Sequence, residues 1–424
     1  GHSYRRVVPE QTTRTSMRFI IFTGILLAID LYAFQAFRTA TQNWSVNWRL
    51  ILGIVYWLLP VLMLAYMLAA QADYTEHWPK TLTTLARSFF FIAYFSKFLI
   101  ASVIFADDLR RGSMWVYEKM AGRDPFDYSR SKFLSNMGIV LGSIPFISLT
   151  YGILRNPYRF KLYSQKVKIE GLPETLQGLR IVQISDIHSG SFLYRDPVTA
   201  AVDLINAQQP DLVFFTGDLV NNVATEMERF TDIFDKIQSK YGVFSVLGNH
   251  DYGDYVSWDT PEKKAQNMEQ LKSVHRQLGW QLLLNEHKIV KIKGEDIAVI
   301  GVENYSTHMR FPKYGKLEQA HAGTQNAALR LLLSHDPSHW KGQVIQDFQD
   351  IDITFSGHTH GMQFGVEIPG VFKWSPIQYV YKEWAGLYTS KRQHLYVNRG
   401  LGHLGYPGRV GILPEVTLLE LERA

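Results

Sequence analysis

A four-helix transmembrane bundle joined to an α/β domain is the fold the sequence predicts, on three observations. Four apolar runs of membrane-spanning length fill the first 155 residues. From Lys161 onward the runs shorten to strand length and alternate with helical patterns. Five of those strands end in Asp, Asn or His. With 424 residues, 46% hydrophobic and 13% aromatic, there is material for a large core as well as membrane spans, and two domains are expected, 1–160 and 161–424.

The spans are read at about 19–37, 50–70, 88–106 and 133–154. The first is broken only by Asp30 and Gln35 among strongly polar residues, and the fourth carries Pro145. So little charge over four successive runs argues against buried helices of a soluble bundle, and their number excludes a cleaved signal peptide. Asp30 and Lys97 fall inside spans, where a lone charge is costly, so they either pair with each other or mark a polar path. Trp44, Trp48, Tyr74 and Trp78 stand where spans meet loops, as interfacial anchors do. Gly1-His2-Ser3 reads as a cloning remnant.

Basic residues divide almost evenly about the spans. Arg5, Arg6, Arg14 and Arg18 precede the first, and Arg155, Arg159 and Lys161 follow the fourth. Arg110, Arg111, Lys119, Arg123, Arg130 and Lys132 lie between the third and fourth. The first two groups favour a second domain on the cytoplasmic side of the membrane. Asp107, Asp108, Trp115, Tyr117 and Phe126 after the third span predict a short amphipathic segment at the interface. A net charge of +5 without a Lys/Arg block suits anionic headgroups, so the lipid bilayer is an expected partner and nucleic acid is not. Zero cysteines leave His, Asp, Asn and Glu to hold any metal.

In the second domain Val167-Lys168-Ile169 begins an edge. Strands are read at 179–184, 212–216, 243–247, 297–302, 331–334, 353–356 and 395–397, and helices at 198–208, 226–239 and 269–278. The residues at the strand ends are the informative ones. Strand 179–184 runs into Ser185-Asp186-Ile187-His188, 212–216 into Gly217-Asp218, and 243–247 into Gly248-Asn249-His250-Asp251. Strand 331–334 runs into His335-Asp336-Pro337, and 353–356 into Gly357-His358-Thr359-His360. Side chains at the carboxyl ends of adjacent strands converge on one crevice, which gathers oxygen and imidazole ligands there. Singly, Asp218 fits a turn, Asn249 an Asx-turn and His335 a cap or core histidine. Five such ends in order point to a shared site. The glycines before Asp218, Asn249 and His358 are read as sharp backbone turns into it.

This series resembles the calcineurin-like metallophosphoesterase family, from roughly Lys161 to the C-terminus, with every motif in order. Within that family the chain is similar to transmembrane proteins with a metallophosphoesterase domain and to bacterial UDP-2,3-diacylglucosamine pyrophosphatases. The resemblance implies an α/β metallophosphoesterase domain of two central mixed β-sheets flanked by helices, holding two divalent metal ions. Nitrogen and oxygen ligands without sulfur suit Mn first, with Fe or Zn as alternatives. Asp186, His188 and His360 would hold one ion, Asn249, His335 and His358 the other, and Asp218 both. His250 would act on the developing charge or the leaving oxygen, with Asp251 orienting its ring.

A Gly-rich turn from Asn398 to His403 offers Arg399 and His403 as substrate-binding candidates, with Arg409 beyond it, since a guanidinium matches phosphate oxygens; a plain surface turn is equally compatible. Tyr252, Tyr255 and His308 lie in loops that could line the cleft. Between Met362 and Tyr388 an insertion rich in Phe364, Val366, Phe372, Trp374, Tyr379, Tyr381, Trp384 and Leu387 reads as a membrane-facing lip or an ordinary aromatic hairpin. The expected function is a membrane-embedded phosphohydrolase cleaving a phosphodiester or pyrophosphate bond of a lipid-linked substrate through a metal-activated hydroxide. A membrane-anchored phosphodiesterase or phosphatase of soluble nucleotides and a non-catalytic receptor or scaffold are the alternatives.

Overall fold

A computed structural model describes residues 10–122, 129–368 and 370–424. Arg5, Arg6, Arg123 and Phe126 lie outside the described residues, as do the side chains of Arg14 and Arg18. Two compact units divide between Thr150 and Tyr151. The division falls upstream of 160 because residues just past the last apolar run already bond within the second unit. Asn156 Nδ2 donates to the Arg409 carbonyl at 2.8 Å, and the Leu193 N–H donates to the Tyr158 hydroxyl at 2.9 Å.

The first unit contains α1 (Glu10–Ala40), α2 (Val46–Gln71), α3 (Lys80–Ala121) and all but the last turn of α4 (Lys132–Leu154). All four are long and apolar enough to cross a membrane. The expectation of a separate amphipathic segment after the third span is corrected by α3, which is one helix of 42 residues. At 1.5 Å per residue it runs about 63 Å, roughly twice the hydrocarbon thickness of a bilayer. Residues Asp107 to Ala121 are therefore its far end. Arg110 and Arg111 reach back one turn to Asp107 at 2.9 Å and Asp108 at 2.6 Å, which supports the helix through its polar part, and a left-handed Gly122 ends it.

Inside the bundle Ala33 and Ala36 of α1 meet Ile100, Ala101 and Ile104 of α3, small residues at the crossing that let the backbones approach. Beside them Lys97 pairs with Asp30 at 2.5 Å, both buried. The Tyr94 hydroxyl donates to the same carboxylate at 2.8 Å, and Lys97 Nζ lies 4.3 Å from the Tyr56 ring centroid. The intramembrane charges are thus neutralised within the bundle.

In the second unit two six-stranded sheets pack face to face. The first contains β1 (Lys161–Ile169), β2 (Arg180–Ile184), β3 (Leu212–Phe215), β4 (Val243–Ser245), β5 (Gln281–Leu282) and β14 (Glu415–Arg423), ordered β1-β14-β2-β3-β4-β5. The second contains β6 (Glu286–Ile292), β7 (Glu295–Gly301), β8 (Leu329–Leu333), β9 (Ile353–Ser356), β12 (Gly386–Ser390) and β13 (Gln393–Val397), ordered β12-β13-β9-β8-β7-β6. A short hairpin, β10 (Val366–Ile368) with β11 (Phe372–Trp374), stands apart. Both large sheets are mixed, antiparallel at β14/β2 and β6/β7 and parallel along β2-β3-β4 and β7-β8-β9.

The side-chain alternation of the strands sorts the core into layers. Ile181, Leu212, Phe214 and Phe244 meet Leu331, Leu333, Ile353 and Phe355 between the sheets. Val182, Ile184, Val213 and Phe215 face outward onto α5 (Asp196–Asn206), α6 (Thr231–Phe234) and α7 (Pro261–Gln277). The helix expected over 226–239 is broken into a 3-10 turn, Ala224–Arg229, and the short α6. The non-helical Phe230, at φ −131°, makes the break, and Asn206 keeps α6 short: it accepts the Gln238 N–H at 2.8 Å and donates to the Lys236 carbonyl at 2.9 Å, withdrawing both groups from a helical ladder.

Candidate metal centre

The parallel strands β2, β3, β4, β8 and β9 present their carboxyl ends to one crevice. The chain turns there through left-handed backbone at the functional residues themselves: φ is 49° at Asp186, 43° at His188, 59° at Asp218, 70° at His358 and 51° at His360. Each such residue costs on the order of 1 kcal/mol or more and persists only where its surroundings hold it. The loops hold one another. The Asp186 N–H donates to the Gly217 carbonyl at 2.9 Å, and the His188 N–H to the Asp218 carbonyl at 3.1 Å. The His358 N–H donates to the Asp186 carboxylate at 3.0 Å.

The preceding glycines differ from the expectation of three sharp turns. Gly217, at φ 97°, needs the freedom of glycine, whereas Gly248 is extended and Gly357 is not left-handed. Space decides at these two positions. A Cβ on Gly248 would run into the Asp218 carboxylate, and one on Gly357 into that of Asp186.

Two groups of candidate ligands result. The ligand atoms of Asp186, His188 and His360 lie within 4.8 Å of one another, as do those of Asp218, His335 and His358. Asp218 Oδ2 stands between the groups, 3.1 Å from His335 Nε2 and 3.5 Å from His188 Nε2. Asn249 joins the second group, its Oδ1 lying 2.8 Å from His358 Nδ1.

Hydrogen bonds behind the imidazoles set which nitrogen faces the crevice. His335 Nδ1 donates to the Thr216 carbonyl at 2.7 Å, which leaves Nε2 toward Asp218. His358 Nε2 donates to the Tyr381 hydroxyl at 2.9 Å, and that hydroxyl donates to Asp336 at 3.1 Å, so His358 Nδ1 faces Asn249 as a lone pair. Acceptors this close to one another call for a cation between them. The electrostatics agree. Asp186 and Asp218 are almost fully buried, and among the described residues their ion-pair partners are histidines alone. Burial would raise Asp218, but His335 and then His250 hold it well below the usual carboxylate range. Burial opposes charge on His335, yet Asp218 pushes it up to about 10. A proton there answers the same demand for positive charge that a divalent ion would meet, so these donors fit a metal.

His250 lies beside the first group, its ring edge-on to His188 at 5.0 Å between centroids. Its Nδ1 donates to the Asn221 carbonyl at 2.7 Å. The expectation that Asp251 orients that ring is therefore corrected. Asp251 instead accepts the backbone N–H groups of Asp218, Leu219 and Gly248 at 2.8–2.9 Å, clamping the loop that carries Asp218. Burial and the Asp218 charge push its own carboxyl up to about 7.

The three substrate-binding candidates from the Gly-rich region are also corrected. Arg399 is 3% exposed, with Nη1 2.6 Å from Glu415 and Nη2 2.5 Å from Glu367, so its fork is already filled by carboxylates. Arg409 is fully buried and donates to the carbonyls of Arg399 at 2.9 Å, Gly400 at 3.1 Å and Gly402 at 2.5 Å, shaping the turn from within. His403 is buried, and burial pushes its imidazole down to about 3. Of the three loop residues, Tyr255 reaches the site, accepting from Asn249 Nδ2 at 2.9 Å and packing 4.4 Å from the His250 ring. His308 packs 4.7 Å from Tyr381. Tyr252 turns inward to Glu303 and Asn304.

The family described as calcineurin-like phosphoesterase matches residues 179–362, and the one described as probable calcineurin-like phosphoesterase, transmembrane domain, matches residues 17–157. The second unit thus matches the calcineurin-like metallophosphoesterases, and the first the four-helix transmembrane domain found in probable members of that family. The chain's relatives include the transmembrane protein with metallophosphoesterase domain of Danio rerio, 30% identical over 282 residues, and that of Bos taurus, 28% identical over 271. The alignments take in 65% and 61% of this chain but 60% and 56% of those proteins, so the chain spans under two thirds of their length. The uncharacterized metallophosphoesterase YkuE of Bacillus subtilis is 29% identical over 303 residues, 69% of this chain and 98% of that protein.

Tyr381 and Asp336 were missed as support for the site, although Asp336 follows His335 directly. No local signal marks Tyr381, which arrives from the insertion after the His358 turn. Tyr381→Phe should weaken metal retention by the second group roughly 10- to 100-fold, the usual effect of losing a partner behind a ligating histidine. Metal titration checks this, and an unchanged dissociation constant would refute the support role.

Proposed function

We propose that the chain is a membrane-embedded phosphohydrolase that holds two divalent ions, Mn in first place, and cleaves a phosphodiester or pyrophosphate bond of a lipid-linked substrate. The observation that carries the hydrolytic reading is the Asp218 carboxylate, one oxygen of which faces both groups of candidate ligands. Bound there, two divalent ions would lower the pKa of a water and offset charge on the phosphoryl oxygens. The chain's own part is positional. Asp251 and the crossed loop hydrogen bonds fix the carboxylates, and Asn221 fixes the His250 tautomer. With Nδ1 committed, His250 Nε2 is the nitrogen left to give a proton to the leaving oxygen. The basic residues flanking the first and fourth spans support a cytoplasmic second unit.

The β10–β11 hairpin supports a lipid substrate. Glu367 and Lys373 share one face, where Glu367 is half-buried against Arg399 and the exposed Lys373 donates to the Ala385 carbonyl. Val366, Ile368 and Phe372 share the outer face and are about half exposed, with Val371 80% exposed at the turn. A face of exposed apolar side chains, opposite charges that are tied down by partners, is unlike a hairpin built to face water. Tyr381 and Trp384 do not join this outer face; they are buried beneath it with Ile412. Replacing Ile368 and Phe372 by Asp should lower turnover of a lipid-linked phosphodiester by roughly tenfold or more, leaving bis-p-nitrophenyl phosphate turnover unchanged. Equal loss on the soluble ester, or nucleotides turning over as fast as lipids, would remove the basis for a lipid substrate.

A further inference from the structure

We propose that the transmembrane unit carries a site for one bilayer phospholipid with an anionic headgroup, separate from the hydrolytic site and independent of its substrate. Two adjoining hollows along α1 and α3 form it. One is an apolar groove of about 470 Å³ lined by Ile25, Ala28, Ile29, Tyr32, Phe98 and Phe105 with Ala101 and Ser102. The other, of about 400 Å³, is lined by Asp108, Arg111, Gly112, Trp115 and Arg130. Tyr32 joins them, its ring in the groove wall and its hydroxyl donating to Asp108. On α3 the residues Phe98, Ser102, Phe105, Asp108, Gly112 and Trp115 recur every three or four positions, so they follow one face of the helix from its apolar run into its polar end.

Charge and depth select the occupant. Asp108 is shared by two guanidiniums, Arg111 at 2.6 Å and Arg130 at 3.1 Å, so the lining of the polar hollow sets two guanidiniums against one carboxylate. Asp107 does not offset it, since it pairs with Arg110 at 2.9 Å and accepts the Ser131 N–H at 3.0 Å. Arg130 Nη1 is buried and has no hydrogen-bond partner among the described residues. A buried donor of that kind is a place for an incoming acceptor. Trp115, about half exposed, lines the same polar hollow, and indoles favour the headgroup level of a bilayer. A headgroup phosphate on Arg130 and Arg111, with an acyl chain down the groove past Tyr32, uses both hollows. A free anion would use only one.

The test uses the full chain, purified in detergent and stripped of lipid, with phosphatidylglycerol, phosphatidylcholine and inorganic phosphate as probes. Native mass spectrometry and melting temperature are the readouts. Wild type should retain phosphatidylglycerol over phosphatidylcholine by roughly tenfold, the scale of one charge-assisted hydrogen bond. Inorganic phosphate should leave the melting temperature unchanged. Arg130→Gln should abolish the preference, and Ala28→Phe, at a lipid-facing position where folding is not at risk, should displace the lipid by filling the groove. Equal retention of both lipids by wild type, an intact preference in Arg130→Gln, retention undiminished in Ala28→Phe, or stabilisation by inorganic phosphate matching that by phosphatidylglycerol would each overturn the proposal.

Discussion

Asp218→Ala is expected to abolish turnover and to release metal from both ligand groups at once. The other candidate ligands serve one group each, whereas Asp218 Oδ2 faces His188 and His335 together. The loss in kcat should reach roughly three orders of magnitude, the several kcal/mol that divalent ions contribute to a phosphoryl transition state. Asp218 also accepts the His250 N–H at 2.8 Å through Oδ1, so the alanine variant could fail by loosening that loop. Asp218→Asn separates the effects, because it keeps the Oδ1 acceptor for the His250 N–H while replacing the charged Oδ2 by an amide NH2 that cannot ligate. Metal content by mass spectrometry should fall from two equivalents toward zero in both variants, and to about one in His188→Ala. An Asp218→Asn protein that kept both ions and full activity would defeat the shared-ligand assignment.

His250→Ala should lower kcat by roughly 10²- to 10⁴-fold, the range of a positioned general acid, without loss of metal. No metal-facing role is expected of this ring, whose Nδ1 is spent on the Asn221 carbonyl. The size of the loss should depend on the leaving group. A lipid alkoxide or phosphate needs a proton as it departs, whereas p-nitrophenolate leaves without one, so the defect should shrink on the nitrophenyl ester. An equal defect on both substrates would move His250 from the leaving oxygen to the charge developing on phosphorus. Loss of metal from the variant would make it a ligand.

The candidate ligands were legible because each sits at the end of a short β-branched or apolar strand, where residue type and local order coincide. Asp186, Asp218, Asn249, His335 and His358 come from five separate strands, yet each could be found by reading a few residues on either side. The Asp30–Lys97 pair was legible for a similar reason, since a charge inside an apolar run demands a partner. β14 was not legible as part of the first sheet. Val416, Leu418, Leu419 and Leu421 read as apolar, but that they enter between β1 and β2, far earlier in the chain, depends on pairing that no local pattern encodes. The full length of α3 was hidden because its polar end looks like a loop until its own ion pairs are seen.

By itself the sequence determined the four spans, the two-part architecture and the crevice-bound donor set, each of them a consequence of local periodicity and of where strands end. Only the tertiary structure decided what each charged group touches. Arg399 and Arg409 had the chemistry to hold phosphate, but Glu367 and Glu415 claim the first and three backbone carbonyls the second. Asp251 stood next to His250 in sequence but clamps the Asp218 loop instead. Gly357 reads as a sharp turn and proves to be the room left for the Ser185 hydroxyl and the Asp186 carboxylate. The physical reason is tertiary in every case: burial makes the arginines and Asp251 take whichever partner is within about 3 Å, and both that partner and the space around Gly357 are set by how separate loops pack.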